Sequence, residues 1–312
     1  MSDARPPHVM DADVEATTDL RGVTDELAIA LTDLHMATAA TTVRVRARGN
    51  GADASAMAAL YSRREVGGGK LYMTGTEGRT FLIALFDTVS GRLLATFDGE
   101  AITAERTAAA TALGIRRMAR SNSTTGALFG TGKQAAWQAL AMAQEIGLDD
   151  LRVVGRSADR VAALVQWCLA RGIPARSTDA REAVQSADVV VTVTGSYEPL
   201  FDGEWLSDGA LVCGVGSTKA ERQELDARTV ARAGIVVTDS IVGARSEAGD
   251  LVGAAHAGCF KWDQMVALED LIANQSVSMP TKGIRLFESQ GVAIEDVVGA
   301  WHVYQRLGLG AA

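Results

Sequence analysis

The period of the hydrophobic positions changes along the chain. Thr24–Ala39 places Leu27, Ile29, Leu31 and Leu34 near one face, and Thr24 is suited to cap the first turn, so a helix is predicted there. Thr41–Arg48 then alternates, with Val43, Val45 and Ala47 on one side and Arg44, Arg46 and Arg48 on the other. A period of two predicts a strand with a basic face. That face reads either as a solvated edge that discourages pairing or as a surface presenting an arginine to a ligand. Leu71–Met73, Thr80–Phe86 and Leu93–Phe97 predict an antiparallel meander, with a turn at Ser90-Gly91. Ile102–Met118 follows as a helix that opens with Thr103 and Glu105. Residues 1–15 are polar and carry Pro6-Pro7, so they read as a loose leader.

From Ser121 strands and helices alternate. Strands are predicted at Ala127–Phe129, Leu151–Val154, Val189–Val193, Ala210–Val215 and Ile235–Val237, and helices from Gln134, Ala158 and Leu225. Several of the strands are unbroken apolar runs, as expected when both faces of a sheet are covered. This alternation predicts a doubly wound parallel sheet. The polar stretch at 120–125 marks a boundary near 120. After Pro280, a short strand at Ile284–Phe287 and a helix at Ala293–Leu307 are expected to return to the first domain. The expected class is α/β, with a doubly wound domain over 121–282 and a discontinuous α/β domain over 1–120 and 283–312.

Composition narrows the function classes. The chain has 312 residues, 47% hydrophobic and 22% charged, which suits two globular domains and not wholesale disorder. A net charge of −8 argues against a nucleic acid or an anionic membrane surface as partner. Cys168, Cys213 and Cys259 are odd in number and far apart. His8, His35, His256 and His302 lie in four separate contexts, so no metal site and no nucleophilic triad is legible. The acidic N-terminus does not read as a secretory signal, and no apolar run reaches the length of a membrane helix. The expectation is a cytoplasmic protein with reduced thiols. Trp205, Trp262 and Trp301 read as packing residues.

One segment carries cofactor chemistry. Gly130-Thr131-Gly132-Lys-Gln134-Ala135 ends a predicted strand and opens a predicted helix. Gly130 permits a sharp turn, and Gly132 lets a phosphate approach the backbone at a helix N-terminus. Ala135 stands where a third glycine is usual and is still small enough for close packing. The arrangement predicts dinucleotide binding. Asp149 and Asp150 precede the second strand and so sit at its wrong end for a ribose. Gly155, Arg156 and Ser157 follow that strand, with Arg160 one turn on, and suit a 2′-phosphate. NADPH is therefore expected over NADH.

Five segments together resemble the ornithine cyclodeaminase/mu-crystallin family. They are Asp98-Gly-Glu-Ala-Ile-Thr-Ala-Glu-Arg106-Thr107-Ala-Ala-Ala, the Gly130–Ala135 turn, Ala187-Asp-Val-Val-Val-Thr-Val-Thr194, Arg222-Gln-Glu-Leu-Asp226, and Phe287-Glu-Ser-Gln-Gly-Val-Ala-Ile-Glu-Asp296. The resemblance runs from about Thr41 to Leu307. The segment Glu198-Pro-Leu-Phe-Asp-Gly-Glu-Trp205 is similar to the ketimine-reductase branch. The resemblance implies a Rossmann domain, a second domain for substrate binding and dimerisation, and a homodimer.

It also implies roles. Arg106 matches an arginine that clamps a substrate carboxylate, and Lys70 a pocket lysine able to pass a proton. Arg44 or Arg46 matches a further substrate-facing arginine, and the alternation leaves both open. Thr80 matches a pocket position near the nicotinamide. Cofactor contacts are implied for Thr107, Gly130, Thr131, Gly132, Gln134, Ala135, Arg156, Ser157 and Arg160. Thr192, Val193, Thr194, Val215 and Gly216 at strand ends join them, as do Ser289 and Gly291 beside the nicotinamide. Ornithine cyclodeaminases and related alanine dehydrogenases carry an aspartate where Thr218 stands here, and Glu221 lies three residues on. Ketimine-reductase-like members lack that aspartate. The expected activity is reduction of a small cyclic imine carboxylate, Δ1-pyrroline-2-carboxylate or Δ1-piperideine-2-carboxylate. The rivals are an ornithine or lysine cyclodeaminase, an NAD-dependent amino-acid dehydrogenase, and a non-catalytic NADP-dependent binding protein.

Overall fold

A computed structural model describes residues 5–310, so residues 1–4 of the expected leader lie outside the described part. The chain divides into two compact units, residues 1–109 with 291–312, and residues 110–290.

The first unit is built on a seven-stranded sheet. Its elements are β1 (His8–Val9), α1 (Asp11–Ala16), α2 (Leu20–His35), β2 (Ala39–Thr41), β3 (Val45–Gly49), β4 (Ala52–Tyr61), β5 (Val66–Gly75), β6 (Gly78–Asp87), β7 (Leu93–Asp98) and α3 (Glu100–Met118). Strands β5 to β7 form the expected antiparallel meander, β4 extends it by one strand, and β2 and β3 both pair with β4. From His8 onward the leader is not loose. β1 joins β7 in parallel, and Val9 and Val14 are buried.

Helix α2 begins four residues earlier than its pattern suggests. The Asp19 side chain accepts from the Gly22 N–H and caps it. Thr24 instead lies inside the helix, its buried hydroxyl donating to the Leu20 carbonyl. The alternating run 41–48 breaks at 42–44, between β2 and β3. β4 was absent from the sequence reading, because Ala-Asp-Ala-Ser-Ala-Met-Ala-Ala-Leu is poor in β-branched residues and strand pairing overrides that composition.

The second unit holds β8 (Thr125–Phe129), α4 (Ala135–Glu145), β9 (Asp150–Val154), α5 (Ala158–Leu169), β10 (Ala175–Ser177), α6 (Ala180–Val184), β11 (Val189–Thr192), β12 (Leu211–Gly214), α7 (Ala227–Ala231), β13 (Ala233–Thr238), α8 (Ile241–Glu247), α9 (Gly249–His256), β14 (Met265–Ala267), α10 (Leu268–Ala273) and β15 (Ile284–Glu288). Its eight strands run in the order β10-β9-β8-β11-β12-β15-β13-β14, every pairing parallel. The order reverses at β8, with β9 on one side and β11 on the other. In such sheets a crevice opens there, beyond the carboxyl ends of the strands. Valine-rich β11 is buried at every position, as both-face coverage requires. Trp205 and Trp262 pack against the core of this unit.

The last helix, α11 (Ala293–Arg306), belongs to the first unit, but β15 does not return with it. β15 lies inside the second sheet, between β12 and β13. Leu286 and Phe287 are fully buried there, a demand that an edge position could not meet. The boundary accordingly falls at 109/110, within α3, and at 290/291, rather than near 120 and 282. A helix carries chain continuity across a boundary that polar composition does not mark.

Candidate active site

In the first unit, chemistry gathers on one face of the meander. Lys70 lies on β5, and its Nζ donates to Asp296 Oδ1 on α11 at 2.7 Å and to Thr103 Oγ1 on α3 at 3.3 Å. Arg106, one face of α3 along, places its Nε 2.9 Å from the same Asp296 oxygen, and its Nη1 donates to Glu295. Lys70, Arg106, Glu295 and Asp296 are all buried. Burial is the largest influence on the Lys70 ammonium and the Arg106 charge is the next, against the pull of Asp296; together they bring its pKa down from 10.5 to about 7. Arg44 lies between β2 and β3, pushes in the same direction, and donates to the Gly291 carbonyl at 2.9 Å. Gly291 has φ +73°, and a Cβ there would lie 2.5 Å from Arg106 Nη1, so the close approach of the guanidinium requires glycine.

Register resolves the alternating segment. Arg46, Ser55, Tyr72 and Phe81 form one cross-strand row on the face that carries Lys70. Val45, Ala56, Leu71 and Leu82 form a row on the opposite face. The valines therefore face outward and the arginines inward, the reverse of an apolar inner stripe. Thr80 pairs with Met73 on that outward face and is exposed, so it does not share a face with Lys70; Phe81 does. Tyr72 and Phe81 pack at 5.3 Å, and Lys70 Nζ sits 5.4 Å from the Phe81 ring centre. Thr107 donates to the Thr103 carbonyl within α3.

In the second unit, a cleft of about 720 Å³ opens at the crevice beside β8. It is lined by Gly130, Thr131, Gly132, Arg156, Ser157, Arg160, Val193 and Thr194, together with Val154, Gly155, Gly195, Ser196 and Leu200. Gly130 has φ +120°, and a Cβ there would lie 2.7 Å from the Val193 carbonyl oxygen. At Gly132 a Cβ would meet nothing within 4 Å, so the backbone before α4 is open to a ligand. A tight glycine turn, a bare backbone and a helix start together fit the pyrophosphate of a dinucleotide. Gln134 is the N-cap residue of α4, and Ala135 is buried behind it. Arg156 and Arg160 are exposed at the cleft, and Ser157 caps α5 by accepting from the Arg160 N–H. Asp150 lies at the far end of β9, bonded to Arg152 and Arg176.

The remaining expected residues of the second unit do not line the cleft. Thr192 is buried and donates to Glu224, the Gly216 N–H also bonds Glu224, and the Val215 N–H bonds the Thr192 carbonyl. Ser289 donates to Asp239 at 2.6 Å. Thr218 and exposed Glu221 occupy the turn after β12. The sequence reading gave no role to Glu295, Asp296 or Glu224, although each stands in one of the five quoted segments, and it did not single out Tyr72, Phe81, Gly195, Ser196 or Leu200. Acidic residues within segments already quoted for their resemblance were the available signal. Among the described residues no cluster suits a metal ion, and no helix is long and apolar enough to cross a membrane.

Comparisons with known proteins give the family and the fold. The family model for the ornithine cyclodeaminase/mu-crystallin family matches residues 9–310. A Δ1-pyrroline-2-carboxylate/Δ1-piperideine-2-carboxylate reductase of Azospirillum brasilense is 37% identical over 215 residues, which cover 69% of this chain and 66% of that protein. The ketimine reductase mu-crystallin of Mus musculus is 32% identical over 225 residues, covering 71% of this chain and 68% of that one. The crystal structure of a probable ornithine cyclodeaminase from Bordetella pertussis superposes with a TM-score of 0.91 at 31% identity, covering 98% of both chains.

Proposed function

The chain belongs to the ornithine cyclodeaminase/mu-crystallin family, and on that footing we propose that it is an oxidoreductase that reduces Δ1-pyrroline-2-carboxylate or Δ1-piperideine-2-carboxylate to the cyclic amino acid with NADPH. The observation that carries this reading is the charge set around Lys70. Lys70, Arg44 and Arg106 gather around two carboxylates, Glu295 and Asp296, and Arg46 shares the face of the sheet that carries Lys70, so the set holds an excess of positive charge to match a substrate carboxylate. Arg44 and Arg106 hold that carboxylate, since a guanidinium binds it through two parallel bonds. Lys70, with a pKa near neutrality, donates a proton to the imine nitrogen. Asp296 and Thr103 fix the direction of its Nζ. The nicotinamide, when bound, supplies the hydride. A cyclic imine is already dehydrated, so no residue has to handle water or ammonia, and Thr218 in place of a carboxylate is compatible with that.

NADPH is preferred on the residues after β9. Arg156, Ser157 and Arg160 offer cations and a hydroxyl for a 2′-phosphate, and the residues that line the cleft include no carboxylate. Homodimerisation through the sheet of the first unit is supported by its outward face, where Val45, Leu71, Met73, Leu82 and Phe86 are all exposed large apolar residues. The three free thiols suit the cytoplasm.

Absorbance at the NADPH band tests the reading, with each cyclic imine and with NADH as the control. Fast loss of NADPH and slow loss of NADH are expected. Ammonia released from ornithine or lysine, with neither imine reduced, would replace the reading by a cyclodeaminase. Tight NADPH binding without turnover over a broad imine panel would replace it by a binding protein.

A further inference from the structure

Glu224 lies in one of the family-like segments, within the second unit. Its carboxylate is fully buried. Oε1 accepts the Thr194 N–H at 2.6 Å, and Oε2 accepts the Gly216 N–H at 2.9 Å and the Thr192 hydroxyl at 3.1 Å. None of these donors is a cation. Burial pushes the carboxyl pKa up, and the three donors pull it back. Burying an ionisable group on neutral donors is unfavourable unless its directional bonds matter, because an apolar residue of the same size would fill the space more cheaply.

The donors show what the bonds do. The ladder between β11 and β12 ends at the Thr192–Gly214 pair, followed by one last bond from the Val215 N–H to the Thr192 carbonyl. Beyond it the ladder stops, and the amides of Thr194 and Gly216 are gathered by one side chain. Thr194 and its neighbours Val193, Gly195 and Ser196 form one wall of the cleft. The join has no slack: a Cβ on Gly216 would lie 2.3 Å from the Thr194 carbonyl oxygen and 2.6 Å from Glu224 Oε1. Glu224 is itself anchored, since its own N–H and that of Leu225 both donate to Asp250 Oδ1 on α9, at 2.7 and 3.0 Å.

We infer that Glu224 is the positioning residue of the dinucleotide cleft, holding the Val193–Ser196 wall at the separation from the Gly130 turn that the cofactor needs. It touches no ligand and acts through Thr194 and Gly216. The assignment rests on the reading of this cleft as a dinucleotide site. It deepens that reading by naming a residue outside the cleft on which cofactor affinity depends.

The test is Glu224→Gln in the full chain, titrated with NADPH and followed by protein fluorescence. The amide keeps the shape but turns an N–H donor toward a backbone N–H, so one bond becomes a repulsion. The dissociation constant for NADPH is expected to rise about tenfold. The KM for the imine at saturating NADPH should stay near wild type, while the melting temperature without cofactor falls by the cost of one lost buried bond. Glu224→Asp keeps the charge but is one methylene too short to span both amides, and should weaken NADPH in the same sense. Glu221→Gln, exposed three residues upstream, serves as the unchanged control. A lowered melting temperature with an unaltered NADPH dissociation constant in either folded variant would overturn the assignment and leave Glu224 a stabilising residue only. A wild-type chain that binds neither NADPH nor NADH would overturn the cleft reading along with it.

Discussion

Replacing Lys70 by methionine should remove most imine reduction and, with it, a specific pH dependence. Lys70 is buried against Thr103 and Asp296. Its pKa falls from 10.5 to about 7, chiefly through burial and next through the Arg106 charge. At about 1.4 kcal/mol for each tenfold change in a protonation equilibrium, that displacement amounts to about 5 kcal/mol in favour of the neutral amine. The ammonium therefore predominates below pH 7, and roughly a tenth of it remains at about pH 8. If this ammonium protonates the imine, kcat falls about tenfold for each pH unit above about 7. Losing such a group typically lowers the rate by about 10²–10⁴. The assay is initial NADPH oxidation by wild type and by Lys70→Met, measured side by side from about pH 6 to about pH 9. The ratio of the two rates cancels the titration of the substrate itself. A ratio that stays constant across that range would refute Lys70 as the proton donor.

Stability has its own sign at this residue. Between about pH 7 and 10.5 the unfolded chain holds a proton on Lys70 that the folded chain has released, so folding stability should rise with pH across that window and be least favoured below it. Urea unfolding of wild type against Lys70→Met should show a slope that only the wild type has.

Other outcomes follow from the same geometry. Arg106→Met takes the arginine from buried Glu295 and leaves Asp296 with Lys70 alone, and urea unfolding should show a loss of about 3–5 kcal/mol. Arg156→Ala should raise the NADPH dissociation constant about tenfold or more and leave that for NADH unchanged, as titration with each dinucleotide will show. Leu71→Glu on the outward face of the sheet should convert a dimer into monomers in analytical ultracentrifugation, with the imine site's residues untouched.

Much of the architecture was written in local pattern. The parallel alternation after Ser121 follows from unbroken valine runs such as Val189–Val191, which only a doubly covered strand tolerates. The glycine turn is legible because Gly130 needs a backbone conformation that other residues avoid, and because it stands between a strand and a helix. The meander was legible where β-branched and aromatic residues alternate, and was missed in alanine-rich β4, whose pairing comes from its neighbours. The leader was misread because the burial of Val9 and Val14 depends on β7 and helices distant in sequence.

Residue types available to the chemistry follow from the chain's pattern alone: Lys70, an arginine in a family-like segment, a glycine turn between a strand and a helix, and Arg156 and Ser157 directly after the second strand. Tertiary structure decided what each of them faces. A strand's side chains alternate strictly, so only the register across β3, β4, β5 and β6 shows that the arginines turn inward with Lys70, that the valines turn outward, and that Thr80 falls on the wrong face while Phe81 falls on the right one. Likewise, Glu295 and Asp296 lie some 190 and 226 residues from Arg106 and Lys70 along the chain, and a charge pair at that separation leaves no local period to read. Packing of α11 against β5 is what brings them together and sets the proton affinity of Lys70.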